Sequence, residues 1–312
     1  MPRHSSTPSC MTRAKITGRA ILGLCSRERG HPVMHEMLEQ ALLDYRRNQQ
    51  SWDELIHEAE RHGLAPLLYK HLQEVEFNLP KDQQRMLRSL HQRNRFSALV
   101  RNRAVETILQ RCRQEQIVSM PVKGIALANI VYEKAEYRPM RDIDLLVAKE
   151  DLQRSEQLLI ELGYRRRKSH HIPDDYYHLP PLVKTIDGLP VAIELHHDLL
   201  PLEESYPRWP LEKSLSASLP LTIGASQTVT LNLEDGLYYL YLHGFRAPLS
   251  YEEFRFIHLA DIVTLVEKYF HKIDWDRAAE QFSNLLPILS RLHFVTPWRS
   301  EIISSLDLDV KT

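Results

Sequence analysis

The residues most able to do chemistry lie in the stretch Pro121–Val147, PVKGIALANIVYEKAEYRPMRDIDLLV, and its centre is the triplet Asp142-Ile143-Asp144. Residues two apart in a strand share a face, so both carboxylates point one way while Ile143, Leu145 and Val147 point into packing. Two carboxylates side by side raise each other's pKa, a cost that becomes useful when a divalent cation sits between them. Hard oxygen ligands and phosphate chemistry suit magnesium. A third acid stands in a second alternating run, Val191–His196, where Glu194 and His196 share a face opposite Ile193 and Leu195. Three convergent carboxylates hold two metal ions roughly 4 Å apart, the arrangement of in-line nucleotidyl transfer.

Positive charge flanks these acids. Lys123-Gly124 falls where a strand turns into a helix, so Gly124 lets backbone approach phosphate while Lys123 and the helix N-terminus attract it. Arg138 and Arg141 offer forked donors to phosphate oxygens, although arginines beside acids also serve as structural ion pairs. His196 is a possible substrate contact, weighed against a satisfied, half-buried histidine, and His197 points away. His170, His171 and His178 read as a polar loop near the cleft, since adjacent histidines in a strand face opposite sides and no cysteine accompanies them. Asp261 and His243 suit helix capping or buried hydrogen bonding better than catalysis. A D-x-D triplet alone is also the pattern of a solvated strand face; the lysine-glycine turn before it and the Ile-Glu-Leu-His run after it set this one apart.

In the order Lys123-Gly124, Tyr132, Arg138, Asp142 to Val147 and Glu194 to His196, the chain resembles the uncharacterised nucleotidyltransferase family of the polymerase-beta-like superfamily. The likeness extends more weakly to Trp52–Leu72 and to His243–Leu265, covering most of residues 50–270. It implies Asp142, Asp144 and Glu194 as metal ligands and catalytic acids, Gly124 as a triphosphate contact, and two Mg²⁺ ions. The implied reaction moves NMP from an NTP to the hydroxyl of an unidentified small molecule, protein or RNA, with release of pyrophosphate. One departure is Gly124-Ile125, where the wider superfamily has Gly-Ser or Gly-Gly. That shortened turn admits a catalytically silent nucleotide-binding adaptor, and Val122–Leu127 partly matches the turn of abortive-infection, toxin-like nucleotidyltransferases.

Several elements must position these groups. Residues 34–116 read as helical, with the capping box Ser51-x-x-Glu54, a Gly63 stop and Pro66 in a first turn. Residues 117–200 read as the α/β core with one mixed sheet, and 201–312 as a C-terminal helical domain. The fold class is therefore α+β, a small mixed-sheet core flanked by helical regions, and the resemblance implies that this core is of nucleotidyltransferase type. Residues 1–33 carry Arg3, Arg13, Lys15, Arg19, Arg27 and Arg29 against the single acid Glu28, and read as a disordered basic tail or as sequence ahead of a start at Met34 or Met37.

With 40 basic and 41 acidic residues the formal charge of -1 supplies no global field toward nucleic acid, which is not favoured as a partner though not excluded. No apolar run approaches the roughly 18 residues of a membrane span. Three cysteines without a CxxC pair argue against a disulfide framework and for the cytoplasm.

Overall fold

A computed structural model describes residues 17–166, 176–201, 208–246 and 254–310. Among the described residues five helices precede the first strand: α1 (Gly18–Leu24), α2 (Pro32–Arg47), α3 (Trp52–Arg61), α4 (Ala65–Glu74) and α5 (Lys81–Gln114). Ser51 caps α3, its hydroxyl accepting from the Glu54 amide at 3.2 Å, and Gly63 at φ 73° turns the chain toward α4. The 34 residues of α5 extend about 50 Å. Its Leu87 and Leu90 pack among the helices, whereas Val100 to Cys112 lie beneath the sheet.

The sheet contains β1 (Ser119–Val122), β2 (Asp142–Val147), β3 (Arg165–Arg166), β4 (Leu182–Ile186) and β5 (Leu189–His196), in the order β1-β2-β5-β4-β3. It is mixed, as expected: β2 and β5 run parallel at its centre and the other pairs are antiparallel. Between β1 and β2 lies α6 (Lys123–Ile130), and α7 (Leu152–Glu161) follows β2. Asp187 and Gly188, at φ 49° and 78°, make the two-residue turn that joins β4 to β5. Both positive angles belong to the hairpin turn whose twist matches the strands, and this turn sets the register that carries Glu194.

After the sheet come α8 (Leu211–Leu215), the hairpin β6 (Leu219–Ile223) and β7 (Ser226–Thr230), then α9 (Leu233–Tyr241), which runs into a wider turn at Leu242–Arg246. Helices α10 (Phe256–Tyr269), α11 (Trp275–Gln281), α12 (Leu285–Leu292) and α13 (Ser300–Ser305) complete the chain. The expected all-helical C-terminal region thus includes a hairpin. Its Thr228 and Thr230 hydroxyls donate to the carbonyls of Ser119 and Pro121 at 2.9 and 2.8 Å, covering the exposed edge of β1.

The two helical regions share one hydrophobic core. Leu38, Leu42 and Leu68 join Val263, Leu289 and Trp298 in it, together with Leu127, Val131 and Tyr132 around α6. Residues 17–33 also depart from the expected tail, because Ile21 and Leu22 are buried in that core. The Arg27 guanidinium is buried too, pairing with Glu267 at 2.9 Å and donating to Thr296 Oγ1 at 2.9 Å. The acid that Arg27 lacks in its local sequence is supplied by Glu267, 240 residues downstream. Residues 1–16 lie outside the described ones. Among the described residues no helix is long and apolar enough to cross a membrane.

Candidate active site

Strand alternation sorts β2 into two faces. Ile143 and Leu145 are buried with Ile193 and Leu195 of β5 in the core that α5 and α7 cover. The parallel register sets Asp144 opposite Glu194, Asp142 opposite Ala192 and Leu146 opposite His196. Asp142, Asp144, Glu194 and His196 therefore occupy the other face together. Ligand atoms of Asp144, Glu194 and His196 all lie within 4.8 Å of one another. Asp142 stands one strand step away, partly exposed at the start of β2.

His196 Nε2 lies 2.9 Å from Asp144 Oδ1 and 3.6 Å from Glu194 Oε2. A carboxylate only accepts, so Nε2 donates to Asp144 and orients it. The buried Nδ1 of the same ring has no hydrogen-bond partner among the described residues. His178, the loop histidine placed near the cleft, forms a bridge to His196 with ring centres 4.9 Å apart. His197 turns away and bonds the Tyr176 carbonyl at 2.9 Å, while His170 and His171 lie outside the described residues.

Lys123 reaches the acids because Val122, the last residue of β1, pairs with Asp144. Its Nζ donates to Asp144 Oδ1 at 2.6 Å from a backbone at φ 50°, a left-handed conformation costing a non-glycine residue about 1–3 kcal/mol. Gly124 is needed for close approach: a Cβ there would stand 3.0 Å from Arg138 Nη1 and 3.1 Å from Met140 Cβ.

The arginines separate. Arg138, expected on phosphate, is buried and grips Asp261 in a fork, Nε to Oδ1 at 3.0 Å and Nη2 to Oδ2 at 2.7 Å. Tyr132 completes the acid's coordination at 2.9 Å, so Asp261 has the buried hydrogen-bonding role and Arg138 is committed to it. Arg141 is exposed beside Asp142 and borders a surface groove of about 310 Å³ that Arg61, Arg93 and Arg255 also line.

Charge is unevenly shared across this face. Burial, with Asp144 and Glu194 as neighbours, pushes the Asp142 carboxyl up from 3.8 to about 6. Burial acts the same way on Asp144, but Lys123 and His196 overcome it and hold that carboxyl well below the usual range. Desolvation is likewise outweighed at Lys123, which the Asp144 charge keeps firmly protonated. Two carboxylate oxygens with a third acid poised nearby are a hard-donor set that a divalent cation would complete.

A family profile described as uncharacterised nucleotidyltransferase matches residues 48–287. The chain belongs to the uncharacterised nucleotidyltransferase family. Solved structures similar to this nucleotidyltransferase-family chain include an antigenic nucleotidyltransferase-like protein from Paracoccidioides brasiliensis, at 13% identity and a TM-score of 0.41 over 66% of this chain and 97% of that one. The antibiotic-resistance factor ANT(2'')-Ia shares 13% identity at 0.40, over 63% of this chain and 98% of that one. A putative nucleotidyltransferase from Thermotoga maritima shares 17% at 0.35, over 47% and 86%. No curated protein matches the chain.

Periodicity alone missed one residue that packs against this acidic cluster. Tyr239 of α9 is buried beside Lys123 and Asp144, its hydroxyl pushed up by burial. In the sequence it lies within an aromatic run that reads simply as core. His243, just beyond, is pushed down to about 3 by burial and by Lys123, so it is neutral.

Proposed function

We propose that this protein transfers the nucleoside monophosphate of an NTP to an acceptor hydroxyl, releasing pyrophosphate, in a magnesium-dependent reaction. The observation that carries the reading is the β2–β5 register, which sets Glu194 beside Asp144 on the face that also bears Asp142. Asp142, Asp144 and Glu194 are the residues that would hold two Mg²⁺ ions, whose chemistry is to neutralise the triphosphate and acidify the acceptor hydroxyl. The acceptor oxygen attacks the α-phosphorus, the bond from that phosphorus to the bridging oxygen breaks, and the hydroxyl proton passes to Glu194. His196 keeps Asp144 oriented through Nε2, and substrate contact by His196 is confined to its Nδ1 edge. Lys123 and Arg141 supply cationic charge to the phosphates beside the Gly124 turn; Arg138 instead anchors the turn to α10 through Asp261.

The acceptor is a small molecule, a protein or RNA; the formal charge of -1 gives long nucleic acid no general attraction and favours the first two. The free, buried thiols of Cys25 and Cys112 suit the cytoplasm. The test is incubation of the full chain with magnesium, α-labelled NTPs and cell extract, beside an Asp142→Ala, Asp144→Ala protein. Magnesium-dependent label transfer by the unmodified chain alone is expected. Nucleotide binding without transfer, indifferent to magnesium, would replace this reading with that of a silent binding protein.

A further inference from the structure

Far from the sheet carboxylates in sequence, His35 on α2 and His71 and Glu74 on α4 turn ligand atoms toward one another, all within 4.8 Å. The His71 ring is buried, and its Nε2 lies 2.8 Å from the carbonyl oxygen of Arg27. A carbonyl only accepts, so Nε2 carries a hydrogen, and in the neutral ring the lone pair is then at Nδ1. That lone pair faces Glu74 Oε2 at 2.8 Å, and His35 Nε2 approaches the same oxygen at 3.2 Å. In that tautomer the His71 and carboxylate lone pairs repel unless a cation lies between them, and such an ion is within reach of His35 Nε2 as well.

We propose that these three residues form a second metal site, taking a zinc ion through His35 Nε2, His71 Nδ1 and Glu74 Oε2, with water in the fourth position. Zinc bonds of about 2.0–2.2 Å set tetrahedral ligand atoms roughly 3.3 Å apart, close to the two separations found here. The bond from His71 to the Arg27 carbonyl is of the kind that fixes ring tautomer and direction in histidine metal sites. Gly30 makes room for the other imidazole, because a Cβ there would fall 1.8 Å from His35 Nε2. Lys70 bonds the remaining oxygen of Glu74, Oε1, and leaves Oε2 for the ion. His35 and Glu74 are partly exposed, which gives the ion an entry path and the water a place. The two-nitrogen, one-oxygen set favours zinc over magnesium, so the site is chemically distinct from the sheet carboxylates. Its effect is to clamp α2, α4 and the segment around Arg27 and Glu28 together.

The experiment titrates Zn²⁺ into chelator-stripped full-length protein carrying Glu194→Gln, in millimolar magnesium, and examines the bound metal by X-ray absorption. One equivalent of zinc with two imidazole ligands is expected. Adding His35→Gln, which alters a partly exposed ring, should weaken binding by at least ~10-fold with circular dichroism unchanged. Glu74→Gln gives an independent reading of the same site should the first variant misfold. Failure to bind zinc, or binding undiminished by both substitutions, overturns the proposal. So does a proton found on His71 Nδ1 by nitrogen NMR with zinc present, which would make His71–Glu74 an ion pair.

Discussion

Two buried ion pairs lie on either side of the Lys123-Gly124 turn, and they are built on different plans. In Arg138–Asp261 both carboxylate oxygens are engaged by the guanidinium fork, and the Tyr132 hydroxyl joins them. In Lys123–Asp144 the donors Lys123 and His196 both fall on Oδ1, the cation is a point charge on a flexible stem, and Glu194 and Asp142 add unbalanced negative charge alongside. A saturated pair has nothing left to offer a ligand. An unsaturated one, held in a conformation that costs energy, is where a substrate or cation changes the balance. Saturation rather than burial thus separates the two pairs, since both are buried.

The contrast is sharpest if each acid is removed in turn. Asp144→Asn should lower label transfer on the order of 10³-fold per folded molecule, equivalent to about 4 kcal/mol of transition-state stabilisation. An Asp144→Asn protein that retains activity would move the centre elsewhere. Arg138→Ala should cost about 3–5 kcal/mol in urea unfolding, because it strands the Asp261 charge in the interior. The double change Arg138→Met, Asp261→Leu should recover most of that loss, and failure to recover would mean that the pair positions the turn as well as neutralising itself.

Asp142 gives a prediction of the opposite sign. Its carboxyl stands at about 6 in the folded chain against 3.8, so its favourable contribution is complete below 3.8 and is lost as pH rises through about 6. Without metal, Asp142→Asn should therefore stabilise the protein by on the order of 2–3 kcal/mol at pH 8 and leave it unchanged near pH 3. Equal melting shifts at both pH values would mean that the crowding of acids is absent. The smallest expected effect is that of Tyr132→Phe, about 1–2 kcal/mol with transfer intact, because Asp261 keeps its arginine. Differential scanning calorimetry beside the labelling assay checks both outcomes.

What could be read in advance follows from local rules. Period-two alternation places Asp142 with Asp144 and Glu194 with His196 whatever the surroundings, and the Ser51 cap announces α3 by itself. The turn at Asp187-Gly188 is an equally local signal that a reading by alternation passes over, since it singles out only the second strand of that hairpin. The partner of Arg138 was not legible, because Asp261 lies 123 residues away and nothing nearby distinguishes a phosphate ligand from an ion pair. Nor was the direction of Lys123, whose backbone adopts an angle that residue type disfavours. The hairpin Leu219–Thr230 was lost among stronger helical signals on either side, and its role as a cover for β1 depends on tertiary contact.

The bond network of Arg27 has a consequence for how the chain is made. Its partners Glu267 and Thr296 are 240 and 269 residues downstream. During synthesis the first helices emerge long before the groups that neutralise this guanidinium exist. The segment around Arg27 must therefore wait, incompletely packed, until Glu267 and Thr296 have left the ribosome. The sheet, whose contacts are shorter in span, has time to assemble first and to serve as the platform on which both ends of the molecule close.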